Sequence, residues 1–552
     1  MLIFPRMLKG NQRVLPIFSG ETFPLPLSSR CYSYQRPQLQ MANIVGNPQD
    51  FFGYTSGRWI WDERQQLRER YREFNILEVQ KIAMELSSSG SCVSMAKIGE
   101  GSYNKSFKLT MGNGKTVIAR IPNPNAGPAF LTTASEVATM DFLRTILRLP
   151  VPEVLAWNSA VDSTNRVGAE YIIMEHAPGK NLADVWTDMD LERKVQTMED
   201  IVAIQHKLLS LKFSEYGCLF YRKDAPPGSH PAIVEGDNLS CELKHKIAEK
   251  FSIGPIVDTA FWSKGRGDID IYRGPWASMV DYIQACVLRE IAWIEKHAIP
   301  RSLNDPLFVS HSQNDPAEHV SLLQRYLSVT PYLIPQEKDI LGAFLWHPDL
   351  RTSNIFVDDS GYITSIIDWQ STWAGPLFLE GCHPDFLDYN GDLMLELPEN
   401  LKQLDENMQS AVKGKVTNSI LLYLYEKYTV ERNPILSKVF RYPNGKTITD
   451  PIRFVGNTWD GDILPLRESL IRIQKKWDLL GHTVKCPINF SPEEMRKHYE
   501  DGEGWNEVQD FWDALSGIMS RDGWTSHATY DQAISIYSQI QAKTAPHSSH
   551  DV

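Results

Sequence analysis

The chain is poor in several features that would have settled its class at once. No run approaches the ~18 consecutive apolar residues that a membrane-spanning helix requires. Only seven cysteines occur in 552 residues. They stand far apart, at Cys31, Cys92, Cys218, Cys241, Cys286, Cys382 and Cys486. None forms a C-x-x-C pair, which argues against a zinc ribbon or a thioredoxin-type site, and an odd count argues against a disulfide scaffold. A reducing compartment fits this usage. Positive charge is also scarce: 56 basic side chains face 68 acidic ones, a formal charge of −12. That balance argues against a general nucleic-acid binder, which needs clustered Lys and Arg on phosphates. Repeats of 20–50 residues are absent, so a solenoid is not expected.

What is present is ordinary globular composition, 42% hydrophobic and 22% charged, far from the signature of disorder. The first 40 residues differ from the rest. They carry Arg6, Lys9, Arg13, Arg30 and Arg36, with Glu21 as their single acid. A basic, acid-poor, Ser- and Pro-containing leader reads as a mitochondrial transit peptide, and Arg30-Cys31-Tyr32-Ser33 resembles a matrix-processing site. Pro5, Arg6 and Lys9 interrupt any secretory apolar core.

Periodicity predicts a helix over 61–86, then short β runs at 93–98, 106–111 and 116–121 joined by a glycine loop and the turn Gly112-Asn113-Gly114. A helix from Thr132 to Leu147 ends at Leu149-Pro150-Val151-Pro152. Strands are expected at 153–157 and 170–175. Helices are expected at 191–211, 278–297, 315–327, 409–428, 464–480, 507–519 and 528–542. Residues 221–340 read as a folded insertion, because their aromatic side chains are costly to leave in water.

The strongest chemical signal is Leu345-Trp346-His347-Pro348-Asp349-Leu350-Arg351-Thr352-Ser353-Asn354, an H-x-D-x-x-x-x-N pattern, followed by a β run ending at Asp368-Trp369. Asp349 and Asn354 on one tight loop can face one cavity, and Asp368 returns to the same place. Phosphoryl transfer needs an acceptor for a hydroxyl proton and hard oxygen ligands for magnesium. Asp349 therefore reads as the catalytic base, and Asn354 and Asp368 as metal ligands. His347 reads as a loop organiser rather than an acid or base.

Upstream, Gly99-Glu100-Gly101-Ser102 joins two strands, so that backbone amides at Gly99, Gly101 and Ser102 can reach phosphate oxygens. A strand follows this loop, which excludes a Rossmann site, and no Gly-Lys-Ser/Thr makes it a Walker A loop. Arg120 occupies the strand position where a kinase places its phosphate-binding lysine, with Glu136 in the next helix as its ion-pair partner. Glu175 and Ala177 stand at the exit of a strand, where a kinase hinge offers backbone groups to adenine.

Taken in order, Gly99-x-Gly101, Arg120, Glu136, Met174-Glu175, His347-x-Asp349-x4-Asn354 and Asp368 resemble the aminoglycoside-phosphotransferase/choline-kinase-like superfamily over about residues 93–377. Phe52-Gly53-Tyr54-Thr55-Ser56-Gly57-Arg58-Trp59, Ile118-Ala119-Arg120-Ile121-Pro122 and Ala134-Ser135-Glu136-Val137-Ala138-Thr139-Met140 are similar to the fungal altered inheritance of mitochondria protein 9 family. Tyr216-Gly217 and Gly274-Pro275-Trp276 are similar to its middle region. The resemblance implies an α+β, protein-kinase-like fold of two lobes: a small antiparallel-sheet N-lobe and a large, mostly helical C-lobe with an insertion and a C-terminal extension. The expected division is a leader at 1–40, an N-terminal extension with a helix at 41–92, an N-lobe at 93–180, a C-lobe at 181–400 with its insertion at about 221–340, a helical extension at 401–544, and a tail at 545–552.

The implied function is a mitochondrial, ATP- and Mg²⁺-dependent phosphotransferase acting on a small-molecule hydroxyl. A pseudokinase-like nucleotide-binding scaffold is the alternative, because Arg120 replaces the lysine expected there. Arg351 also stands where small-molecule kinases of this type have His, and Trp369 replaces the Phe of Asp-Phe-Gly. An aminoglycoside resistance enzyme fits poorly, since the acidic stretches near 378–406 and 499–510 read as solvated faces. Nucleotide and a small acceptor are the expected partners.

Overall fold

The computed structural model describes residues 43–44, 47–160, 162–237, 239–302, 310–456 and 458–544. The leader and the tail after residue 544 lie outside them.

Six strands form the small lobe: β1 (Asn43–Ile44), β2 (Cys92–Glu100), β3 (Asn104–Met111), β4 (Thr116–Pro122), β5 (Val154–Asn158) and β6 (Tyr171–Glu175). Their order across the sheet is β1-β2-β3-β4-β6-β5, with β1 parallel to β2 and the other pairs antiparallel. Period-two alternation in β3 sends Lys105, Phe107, Leu109 and Met111 to one buried face and Asn104, Ser106, Lys108 and Thr110 to the other. The buried face is covered by the N-terminal extension, whose Phe51, Phe52, Phe74, Val79, Ala83 and Met84 join one apolar cluster with Phe107 and Leu109. Phe51 and Phe74 pack on Phe107 at centroid distances of 5.0 and 5.3 Å.

The helix expected over 61–86 is two helices, α1 (Glu63–Glu69) and α2 (Ile76–Leu86). Asn75 separates them: its side chain accepts the Glu78 amide at 3.1 Å, which restarts a helix with a proper cap. Helix α3 (Leu131–Thr145) is buried along most of its length and carries Glu136.

The large lobe is helical, with α4 (Leu191–Leu209), α5 (Met279–His297), α6 (Pro316–Val329), α7 (Glu406–Arg432), α8 (Gly445–Val455), α9 (Ile463–Lys475), α10 (Pro492–Ala514) and α11 (Tyr530–Thr544). Helix α10 starts well before the expected 507–519. Ser491 and Glu494 close a capping box at its start, and Gly502 lies inside it without breaking it. The large lobe also holds more sheet than expected. Strands β7 (Lys180–Asn181), β8 (Gly217–Tyr221), β9 (Ala343–Leu345), β10 (Ile355–Val357), β11 (Ile363–Ile366) and β12 (Trp373–Pro376) lie here. A seven-stranded sheet runs His230–Pro231, Phe251–Gly254, β8, β12, β9, Lys212–Phe213, Val234–Glu235, and a three-stranded one runs β11-β10-β7. Most of these strands have two to five residues, too short for alternation to announce them. Their role is positional. The H-x-D loop connects β9 to β10, and Asp368 follows β11. No helix among the described residues is long and apolar enough to cross a membrane.

Candidate active site

Arg120 is the hub. It projects from β4 into the interior, with only 7% of its surface exposed. One guanidinium nitrogen pairs with Glu136 of α3. The other donates to Asp368 Oδ1 at 2.6 Å and to Gln370 Oε1 at 2.9 Å. A strand, the helix that follows it and a segment 248 residues beyond Arg120 therefore meet at one side chain. Burial works against the charge on Arg120, but Glu136 and Asp368 outweigh it and hold its pKa above the ordinary value. Burial pushes Glu136 up to about 7 against the pull of Arg120. Burial also acts to raise Asp368, yet the charge and hydrogen bond of Arg120, aided by His347 and Arg351, hold it below the usual carboxylate value. Asp368 is the open end of the network, since its side chain keeps 39% exposure while that of Glu136 keeps 3%.

The backbone at Asp368 is left-handed, φ 66°, a conformation that Asp tolerates better than most residues. It is imposed by its neighbours. Ile367 donates its amide to the Asn354 carbonyl at 3.0 Å. Trp369 is fully buried, and its indole donates to the Ile366 carbonyl at 3.0 Å. The chain thus turns sharply at Asp368 and directs it toward the H-x-D loop.

His347 ties that loop together. Its Nδ1 accepts the Asp349 amide at 3.1 Å, so Nε2 carries the proton and donates to the Ile367 carbonyl at 3.0 Å. Burial lowers its pKa, against the Ile367 bond and the nearby aspartates. Asn354 is buried and donates to the Asp349 carbonyl at 2.9 Å. Asp349 is partly exposed, with Oδ2 3.0 Å from Arg351 Nε.

Gly99, Gly101 and Ser102 lie in the β2–β3 hairpin, closed by Gly101 N–H to the Asn104 carbonyl at 3.0 Å. A Cβ on Gly101 would meet nothing within 4 Å, and one on Gly99 only Ser106 at 3.9 Å. The hairpin does not itself demand glycine at either position, and its backbone is open to close approach. Glu175 and Ala177 sit apart from the Arg120 cluster. Glu175 Oε2 accepts the Glu153 amide at 3.0 Å and pairs with Arg144 at 3.2 Å. Gln370 and Asn104 are additions that sequence reasoning missed. The Asn104 side-chain amide lies 2.6 Å from Gln370 Oε1 and beside the Arg120 guanidinium, and Gln370 donates to the Ala126 carbonyl at 2.9 Å. Their only signal in sequence was proximity to Asp368 and to the glycine loop.

No family model matches the chain. A subtelomeric hrmA-associated cluster protein of Aspergillus fumigatus is 31% identical over 484 residues, covering 80% of this chain and 91% of that protein. The mitochondrial altered inheritance of mitochondria protein 9 of Yarrowia lipolytica is 25% identical, covering 88% and 86% of the two chains. Its Saccharomyces cerevisiae counterpart is 23% identical, covering 88% and 87%. The chain belongs to the family of these fungal proteins.

The mitochondrial localisation of this family member is carried by the names of those relatives, in line with the expectation from its basic leader. Solved structures similar to it include a Plasmodium vivax ethanolamine kinase (10% identity, TM-score 0.33, covering 75% of this chain and 81% of that one) and an ADP-bound aminoglycoside phosphotransferase (12%, TM-score 0.31, 68% and 97%). The chain itself has an α+β fold, with a small sheet-based lobe and a larger, mostly helical one, in line with the expectation from its sequence.

Proposed function

We propose that this mitochondrial, kinase-like protein binds ATP with Mg²⁺ and transfers a phosphoryl group to the hydroxyl of a small molecule. The observation that carries this reading is the convergence of Arg120, Glu136 and Asp368 beside the Asp349–Asn354 loop. In this reading residues 93–180 and 181–400 are the two lobes that enclose the nucleotide. The open backbone of the Gly99-Gly101-Ser102 hairpin faces its phosphates, with the Gly101 amide closing the turn on Asn104; backbone groups at Glu175 and Ala177 face its base, and Arg120, oriented by Glu136, neutralises phosphate charge.

Asp349 takes the proton from the acceptor hydroxyl as its oxygen bonds to the γ-phosphorus and the bond to the β-phosphate oxygen breaks. His347 fixes Asp349 through its amide, and Asn354 holds the same loop from the other side. Positioning and charge supply most of the rate in this class of reaction. Asn354 and Asp368 fit a magnesium ion: among the described residues no hydrogen bond engages Asp368 Oδ2, and its side chain is 39% exposed. Two hard oxygen ligands suffice for a metal that keeps several waters. When bound, it would neutralise charge between the phosphates.

A second reading, nucleotide binding without turnover, is favoured by one observation. Arg120 already neutralises Asp368 at 2.6 Å, and arginine is a bulkier fork than the lysine it replaces. ATP turnover over a panel of mitochondrial metabolites separates the two. The enzyme reading expects phosphate transfer that Asp349→Asn removes, and Mg²⁺-dependent ATP binding with no turnover would leave only the second.

A further inference from the structure

A segment near the start of the described chain packs on the glycine hairpin, and a segment near its end holds that segment in turn. From β2, Lys97 Nζ reaches the carbonyls of Asp50 and Gly53, each at 3.1 Å, and Thr55 Oγ1 at 3.0 Å. It also pairs with Glu100, the residue between Gly99 and Gly101. Glu100 Oε2 in turn accepts from Thr55 N at 2.6 Å, Ser56 Oγ at 3.1 Å and Thr55 Oγ1 at 3.2 Å. The two charged side chains are 12% and 2% exposed, although both stand on a hairpin that is otherwise open.

The same N-terminal segment is gripped from the C-terminal side. Arg58–Trp59 pairs as a strand with Trp524–Thr525. Trp59 Nε1 donates to Asp522 at 3.2 Å, Ile60 N to the Gly523 carbonyl at 2.9 Å, and His527 Nε2 lies 3.1 Å from the Thr55 carbonyl. Arg58 stacks over Tyr530 at 3.9 Å. A Cβ on Gly57 would stand 2.6 Å from the Thr525 carbonyl oxygen and from the Trp524 indole nitrogen, so only glycine allows this approach.

A short glycine hairpin is entropically costly to order, about 1–2 kcal/mol per residue. Fixing it before the ligand arrives removes that cost from binding. We infer that residues 50–59, locked by the segment 522–530, form a strap in cis that pre-orders the hairpin, with Lys97 and Glu100 as its positioning residues. The inference rests on the nucleotide reading of the site. It gives the extensions at both ends of the chain a part in phosphate recognition, rather than a separate function.

The test uses the full chain, MgADP as probe, and deuterium uptake across residues 97–106. Glu100→Ala is expected to weaken MgADP by about tenfold and speed hairpin uptake. Thr55→Val with Ser56→Ala is expected to do the same to a smaller degree, and Glu100→Gln to recover part of the affinity. If Glu100→Ala does not fold, the hydroxyl variant decides. Faster uptake with MgADP affinity within about twofold of wild type would show that the contacts only anchor the extension, and overturns the inference alone. A wild-type chain that does not bind MgADP overturns the nucleotide reading and the inference with it.

Discussion

Two buried arginines show the difference between an ion pair closed within the fold and one with an end open to solvent. Arg266 and Glu290 are 3% and 0% exposed, and three hydrogen bonds of 2.8–3.2 Å join them. Arg266 also stacks on Trp293 at 4.4 Å. Every charge there is answered inside the protein. Arg120 begins the same way on Glu136, but its second nitrogen turns to Asp368, whose side chain is 39% exposed. The first network is closed. The second ends in a carboxylate facing solvent, on a left-handed backbone held by His347, Asn354 and Trp369. Burial alone does not distinguish the two networks; the open end does, and the proposed nucleotide site stands there.

The comparison breaks first at the closed pair. Glu290→Ala strands a buried guanidinium, and denaturant unfolding should show a loss of ~3–5 kcal/mol, with nucleotide affinity unchanged in the folded fraction. Glu136→Ala should cost less, ~1–3 kcal/mol, because Arg120 keeps Asp368 and Gln370. Calorimetry should nonetheless show weakened nucleotide binding, since Arg120 loses its orientation. Equal stability losses for the two variants would erase the distinction.

Acid sharpens it further. Burial holds His347 below its ordinary value of 6.5, so below that pH the unfolded chain binds more protons than the folded one. The stability this provides is fully present above 6.5 and declines as pH falls through it. The depressed Asp368 contributes separately: its stability is present above 3.8 and is lost as pH falls through its lower folded pKa. Thermal melts of His347→Asn should show a shallower loss of stability as pH falls below 6.5, with the lower slope kept. The smallest effect belongs to Arg351→Ala, since Arg351 and Asp349 form a pair 57% and 42% exposed. Its stability cost should be ~0–1 kcal/mol, measurable by the same melts.

The site was more legible in sequence than the fold around it. Asp349, Asn354 and Asp368 stood out because a short loop and one following strand bring them together with little help from distant chain. Arg120 and Glu136 were readable as a strand followed by a helix. Gln370 and Asn104 were not, because neutral amides in loops and at strand ends most often serve turns. The pairing of Arg58–Trp59 with Trp524–Thr525 was equally hidden, as two-residue strands separated by most of the chain leave no periodic trace. Helix α10 was cut short by an acidic stretch with Gly502 and Gly504 in it, where the capping box at Ser491 outweighs the two glycines.

The most direct measurement is calorimetric titration of ATP into the wild-type chain and Asp368→Ala, each with and without Mg²⁺. The account predicts wild-type binding that depends on Mg²⁺ and a loss of more than about tenfold in the variant. Binding of equal strength in both chains, indifferent to the metal, would contradict it.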